Sequence, residues 1–201
     1  VRLWLAAVAA LLLPLSVRAQ DLPALYPALY DVTGVAAGDV LNIRAEGRAD
    51  AAAVGSLAPD ARGVEVVRES GGWGLVSSGE GSGWVSMRYL VPQDGPPWYA
   101  LQSPVRCIGT EPFWSLGLAG ETGAAVYSTP EGGDSFITVS ARWPGSAATQ
   151  SAAVALPEGF AVITGGECSD GMSDRAFGLR AELFLTGDAP QRQSGCCTIA
   201  P

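Results

Sequence analysis

A period of two constrains this chain more tightly than any other feature. In "DSFITVSARW", residues 134–143, Ile137, Val139, Ala141 and Trp143 alternate with Phe136, Thr138, Ser140 and Arg142. In "FGLRAELFL", residues 177–185, Leu179, Ala181, Leu183 and Leu185 alternate with Arg180, Glu182 and Phe184. Successive side chains of a strand point to opposite faces, so runs like these lay one apolar face on a core and leave the other wet. Shorter runs repeat the pattern: Leu41 with Ile43, Val64 with Val66, and Trp114 with Leu116 and Leu118. The 26 glycines and 14 prolines punctuate them. The expectation is an all-β chain of many short antiparallel strands. Only "ADAAAVGSL", residues 49–57, suggests a single helical turn, and it is too short for a stable helix.

The first residues read differently. Arg2 precedes an apolar run from Leu3 to Leu15, and Val17 and Ala19 sit at the −3 and −1 positions of a cut after Ala19. That is the layout of a secretory leader over residues 1–19, with a run too short to span a bilayer comfortably. The expected location is the periplasm or the exterior, with no stable membrane insertion after cleavage. The remaining length suits two small domains. "VPQDGPPWYALQSPVR", residues 91–106, holds four prolines and little periodicity. It is read as a linker (93–106) between domains at 24–92 and 107–201, with Trp98 and Tyr99 docking on one of them.

Charge and composition exclude much chemistry. The net charge is −8, with twelve arginines against twenty acids and neither lysine nor histidine. An acidic surface repels phosphate backbones, so nucleic acid is not an expected partner. Without histidine there is no Ser-His-Asp or Cys-His catalysis and no histidine-based zinc site. Without lysine there is no Schiff base. Paired carboxylates, thiols and backbone donors remain, and no cofactor is expected.

Leu41 to Pro92 carries "LNIR" at 41–44, "VGSL" at 54–57, "GGW" at 71–73 and "GWVSMRYL" at 83–90, with "LYDVTGVAAGD" upstream as a lead-in strand. These motifs resemble the bacterial SH3 (SH3b) family. The resemblance implies an SH3-like small barrel, found in exported proteins of which some bind cell-wall peptides. The chain departs from the family at Glu46-Gly47, where members often carry proline. Tyr30, Asn42, Trp73, Trp84 and Tyr89 form the candidate ligand groove. A tryptophan buries a large area yet has an N–H that needs a partner, which suits a groove with one wet edge. Ordinary core packing is the competing reading.

The second half opens "CIGTEPFWSLGLAG" and continues to "CSDGMSDRAFG" and "GCC". It resembles an uncharacterised family of secreted or envelope-associated bacterial proteins, and distantly the small β domains of META/HslJ type. That resemblance implies an exported β domain and transfers no activity. All four cysteines, Cys107, Cys168, Cys196 and Cys197, fall here. In an oxidising compartment they favour two disulfides. Adjacent cysteines in a strand point to opposite faces, so Cys196 and Cys197 are expected to reach outward, one to Cys107 and the other to Cys168. A redox-active pair lacks the C-x-x-C spacing.

"DGMSD" superficially suggests a calcium loop. Counted from Asp170, however, Gly171 falls at position 2 and Ala181 at position 12, so the EF-hand pattern fails. An Asp-Gly turn is preferred to a looser oxygen site of Glu167, Asp170 and Asp174, and no metal is expected. Glu111 paired with Asp170 or Asp174 is the candidate catalytic set if the chain is an enzyme, because glycoside hydrolysis needs one protonated and one ionised carboxyl.

The overall expectation is an N-terminal SH3-like barrel followed by a disulfide-linked antiparallel β domain. Its leading function is an exported, non-enzymatic binding or scaffold protein of the envelope, its partner a cell-wall peptide or an envelope protein. A carboxylate-dependent cell-wall hydrolase is one alternative. An inhibitor or sensor that engages a basic protein is the other.

Overall fold

The computed structural model describes residues 25–79 and 81–199; the expected leader lies outside them. These residues form an all-β protein with two sheet regions, each on its own core.

The first region comprises β1 (Ala28–Val32), β2 (Leu41–Arg44), β3 (Ala53–Leu57), β4 (Val64–Val66), β5 (Arg68–Ser70), β6 (Trp73–Ser78), β7 (Gly81–Ser86) and β8 (Leu90–Pro92). They make a three-stranded sheet, β4-β1-β8, and a five-stranded sheet, β3-β2-β7-β6-β5. The chain passes from one sheet to the other at Val67, whose N–H donates to the Leu75 carbonyl at 2.8 Å. Both sheets turn their apolar faces to one cluster: Tyr30, Val32, Leu41, Ile43, Val66, Val76, Val85 and Leu90. The alanine-rich run is no helix. Residues 53–57 pair with β2, because Val54 and Leu57 suit an extended chain and the alanines alone cannot nucleate a helix.

The second region holds β9 (Val105–Thr110), β10 (Phe113–Leu118), β11 (Ala124–Thr129), β12 (Gly133–Thr138), β13 (Ala141–Trp143), β14 (Ser151–Leu156), β15 (Gly159–Cys168), β16 (Phe177–Leu185) and β17 (Gln191–Thr198). They form one nine-stranded antiparallel sheet in the order β12-β11-β10-β9-β17-β16-β15-β14-β13. Two meanders are thus joined at their outer members, β9 and β17. The sheet curls around a core in which Leu116, Ile163, Leu179 and Leu183 are fully buried. "FGLRAELFL" is β16, with Leu179, Ala181 and Leu183 inside and Arg180 exposed.

"DSFITVSARW" is two strands instead of one. The Val139 N–H donates to Gly123 O at 2.8 Å, and the next N–H, of Ser140, donates to Ala155 O at 3.0 Å. The chain therefore changes ladder partner within one residue, and β12 and β13 become the two edges of the sheet. The Arg142 guanidinium reaches from β13 to the carbonyls of Leu101 and Gly120. In the stretch before β9, Trp98 sits in the short 3-10 turn Trp98–Ala100 and is buried in the second core, with Tyr99 packed beside it.

Both disulfides converge on β17. Cys197 bonds Cys107, across 90 residues, and Cys196 bonds Cys168, across 28. Cys197 faces Cys107 in the β9–β17 ladder, and Cys196 takes the opposite face to reach the end of β15. Chain-closure entropy grows with loop length, so the longer bridge restricts the unfolded chain more. The Cys107→Ser/Cys197→Ser double variant should lose about 4 kcal/mol in denaturant unfolding, and Cys168→Ser/Cys196→Ser should lose less. Equal losses would mean that loop length does not set the contribution of either bridge.

Candidate functional site

The five-stranded sheet carries the first candidate. On its outer face, β6 and β7 pair Trp73 with Ser86 and Leu75 with Trp84. β2 adds Asn42 and Arg44, beside the buried Leu41 and Ile43. The 3-10 turn Met87–Tyr89 follows β7 and brings Arg88 and Tyr89 to the same end. Together with residues 34–41 these enclose a groove of about 540 Å³, walled by Asn42, Arg44, Trp73, Ser86, Arg88 and Tyr89 among others.

Local backbone contacts explain why these side chains meet. The Met87 N–H donates to the Gly72 carbonyl at 2.9 Å, which ties the Gly71-Gly72 turn to the start of the 3-10 turn. Gly71 and Gly72 have φ of 58° and 80°, where a side chain would be strained. The Thr33 N–H donates to Tyr89 O at 2.8 Å, so the segment after β1 closes the groove's other side. Trp73 is half-buried and lies against Gly47, where a Cβ would come within 3.2 Å of it. Arg88 lies over the Tyr89 ring at 4.4 Å and donates to its hydroxyl.

Of the five aromatic and amide candidates, Asn42, Trp73 and Tyr89 line this groove. Tyr30 is 5% exposed and belongs to the first core. Trp84 turns to the other half of the molecule. The Arg68 guanidinium lies 4.4 Å from its ring centroid and pairs with Glu167. Nearby, the Ser77 hydroxyl donates to Ala176 O at 2.8 Å. Residue type does not single out Arg44 and Arg88, although they stand inside the "LNIR" and "GWVSMRYL" motifs.

The second candidate is a smaller depression of about 320 Å³ over β9, β16 and β17, lined by Glu111, Asp170, Arg180 and Glu182 beside the Cys168–Cys196 bridge. Asp174 is exposed and outside that lining. Asp170 caps its own turn: Oδ1 accepts the N–H groups of Met172 and Ser173 at 3.1 and 2.9 Å, and Oδ2 accepts the Ser173 hydroxyl at 2.9 Å. Gly171 at φ 72° completes the turn. The Ser173 N–H foremost holds the Asp170 carboxyl below the usual aspartate range. Glu182 is likewise held low, first by Arg192, which donates at 2.7 Å, and also by Ser194. Both groups favour the ionised form, the opposite of what a general acid requires. Arg175 pairs with no carboxylate among the described ion pairs; it lies over Phe177 at 5.0 Å.

Among the described residues no group of three His, Cys, Asp or Glu side chains is arranged to hold a metal. No described helix is long and apolar enough to cross a membrane. Scanned against protein-family models, curated proteins and solved structures, the chain finds no match.

A carboxylate with a depressed pKa stabilises the fold above its unfolded pKa, about 3.9 for aspartate, and that contribution disappears as pH falls through the folded value. Asp170→Asn should therefore unfold more readily than wild type at pH 7. The gap should close as the pH drops below about 4, as read from thermal midpoints across pH. A gap that persists in acid would assign the loss to packing instead of charge.

Proposed function

We propose that the chain is an exported, non-enzymatic binding protein of the cell envelope, and that its first half is an SH3-like barrel holding a peptide or cell-wall ligand. The observation that carries this reading is the convergence of Asn42, Trp73 and Tyr89 on one groove of about 540 Å³. That volume lies within the usual range of ligand sites. Two half-buried aromatic rings offer flat apolar contact at low entropic cost, and an exposed amide offers both a donor and an acceptor to an extended peptide backbone. Export is supported by the leader-like residues 1–19 and by two disulfides, which persist in oxidising compartments. In this reading the second half is a braced support for the first.

Retention on purified peptidoglycan tests the proposal. Wild-type protein should be retained, and Trp73→Ala should weaken retention at least about tenfold, the effect of removing a central aromatic anchor. Trp84→Ala, whose ring faces Arg68 and the second half, should be retained nearly as well as wild type. Thermal unfolding of each variant would separate lost binding from lost folding. Wild-type protein that passes through unretained would end the cell-wall reading.

A further inference from the structure

The chain is strongly acidic, but its groove is not. Four arginines sit against carboxylates: Arg48 on Glu46 and Asp50, Arg62 on Asp31, Arg68 on Glu167, and Arg192 on Glu182. Arg44 and Arg88 take part in none of the ion pairs among the described residues, and both line the same groove. Arg44 commits Nη1 to the Ala51 carbonyl at 2.7 Å, and Arg88 commits Nη2 to the Tyr89 hydroxyl. A guanidinium carries five N–H donors, so each retains others for a ligand. Asp39 is the one acid in the lining, and its Oδ1 already accepts the Val40 N–H at 2.8 Å.

Resting on the reading of this groove as a peptide site, we propose that it recognises a carboxylate on the peptide, bound by Arg88 and Arg44 beside the Trp73 and Tyr89 rings. Arginine's planar fork matches a carboxylate with two parallel hydrogen bonds. The contact of Arg88 with the Tyr89 ring and hydroxyl restrains its guanidinium before ligand arrives. With a chain charge of −8, the general surface repels an anionic peptide, so the two arginines supply selectivity for this location as well as attraction. The carboxylate is either the peptide's C-terminus or an acidic side chain, and both present the same two oxygens.

Three probes distinguish these sources: acetyl-Ala-Gly-Ala as the free acid, the same peptide as its C-terminal amide, and acetyl-Glu-Gly-Ala amide. Binding is followed by the backbone NMR shifts of Asn42 and Trp73. At least one carboxylate-bearing probe should bind about tenfold more tightly than the neutral amide, the scale of charge-assisted hydrogen bonds, and the preference should shrink as salt rises. Preference for the free acid identifies a C-terminal carboxylate, and preference for the glutamyl amide identifies a side chain. Arg88→Gln should abolish the preference, so that the carboxylate-bearing probes bind no more tightly than the neutral amide does to the same variant. Arg88 is exposed and bonds only its neighbour, so this variant should unfold like wild type; Arg44→Gln provides the second variant. Equal, Trp73-dependent binding of all three probes would overturn the carboxylate assignment and leave the groove as a peptide site. A preference that survives both arginine variants would overturn it too. No shift with any probe up to about 10 mM would overturn the groove reading itself.

Discussion

The second half depends on the pairing of β9 with β17. Every other ladder in that sheet joins strands consecutive in the chain, and such hairpins close locally. β9 and β17 instead meet across a loop whose closure is the costliest in the domain, through the short register Ile108 with Cys196, Cys107 with Cys197 and Arg106 with Thr198. Without it, β9–β12 and β13–β17 are separate meanders. One would expose Trp114 and Leu116, the other Ile163, Leu179 and Leu183, all of which now share one core. A domain of this size has little stability to spare. The Cys107–Cys197 bridge sits within the register itself, so it fixes the contact that the hairpins cannot provide. Packing there is correspondingly close: a Cβ at Gly109 would come within 2.0 Å of the Trp114 indole nitrogen. The indole lies across the paired backbone, and larger residues at 109 or 195 are excluded on steric grounds.

The adjacent Cys196 extends the brace outward. By holding Cys168 it pins the end of β15 and the loop that follows, and both meet the first half. Glu167 reaches Arg68, and Ala176 accepts from Ser77. On the other side of the contact, Glu65 of β4 accepts from the Thr198 hydroxyl and from the Ile199 N–H just after β17. Pro27, ahead of β1, packs over Gly178, where a Cβ would come within 2.5 Å of its ring. The dense "CSDGMSDR" stretch thus acts mechanically. Its cysteine anchors it, its Asp-Gly turn shapes it, and its flanks join the two sheet regions.

Local periodicity and turn chemistry were legible in the sequence, and partnership was not. "FGLRAELFL" reads correctly because a strand buried on one face declares itself by alternation alone. "DSFITVSARW" reads as one strand because alternation continues through Val139 and Ser140 although the ladder partner changes there; hydrogen-bond partners leave no trace in side-chain pattern. The alanines of residues 49–57 suggest at most one helical turn, and pairing of residues 53–57 at the edge of a sheet overrode that weak preference. The two cysteine partners of "GCC" followed from the opposite facing of neighbours in a strand, but which cysteine took which required the register. In the groove, Asn42, Trp73 and Tyr89 stood out by residue type. Arg44 and Arg88 did not, because residue type does not say where an arginine points, and only the fold brings these two to one groove.

The groove and the brace are separated for a physical reason. A ligand site gains when its side chains are fixed before binding, since fewer degrees of freedom are then lost on association. Trp73 and Tyr89 come from segments locked to each other by the Met87–Gly72 hydrogen bond and to the strand-following segment by the Thr33–Tyr89 bond. None of those contacts involves the second half. Trp84, two residues before Ser86 on the same strand face, is instead engaged through Arg68 and Glu167. The outer face of β6 and β7 is therefore divided in two. Its Trp84 end meets the contact between the halves, and its Trp73 end borders the groove, with two arginines that take part in none of the described ion pairs.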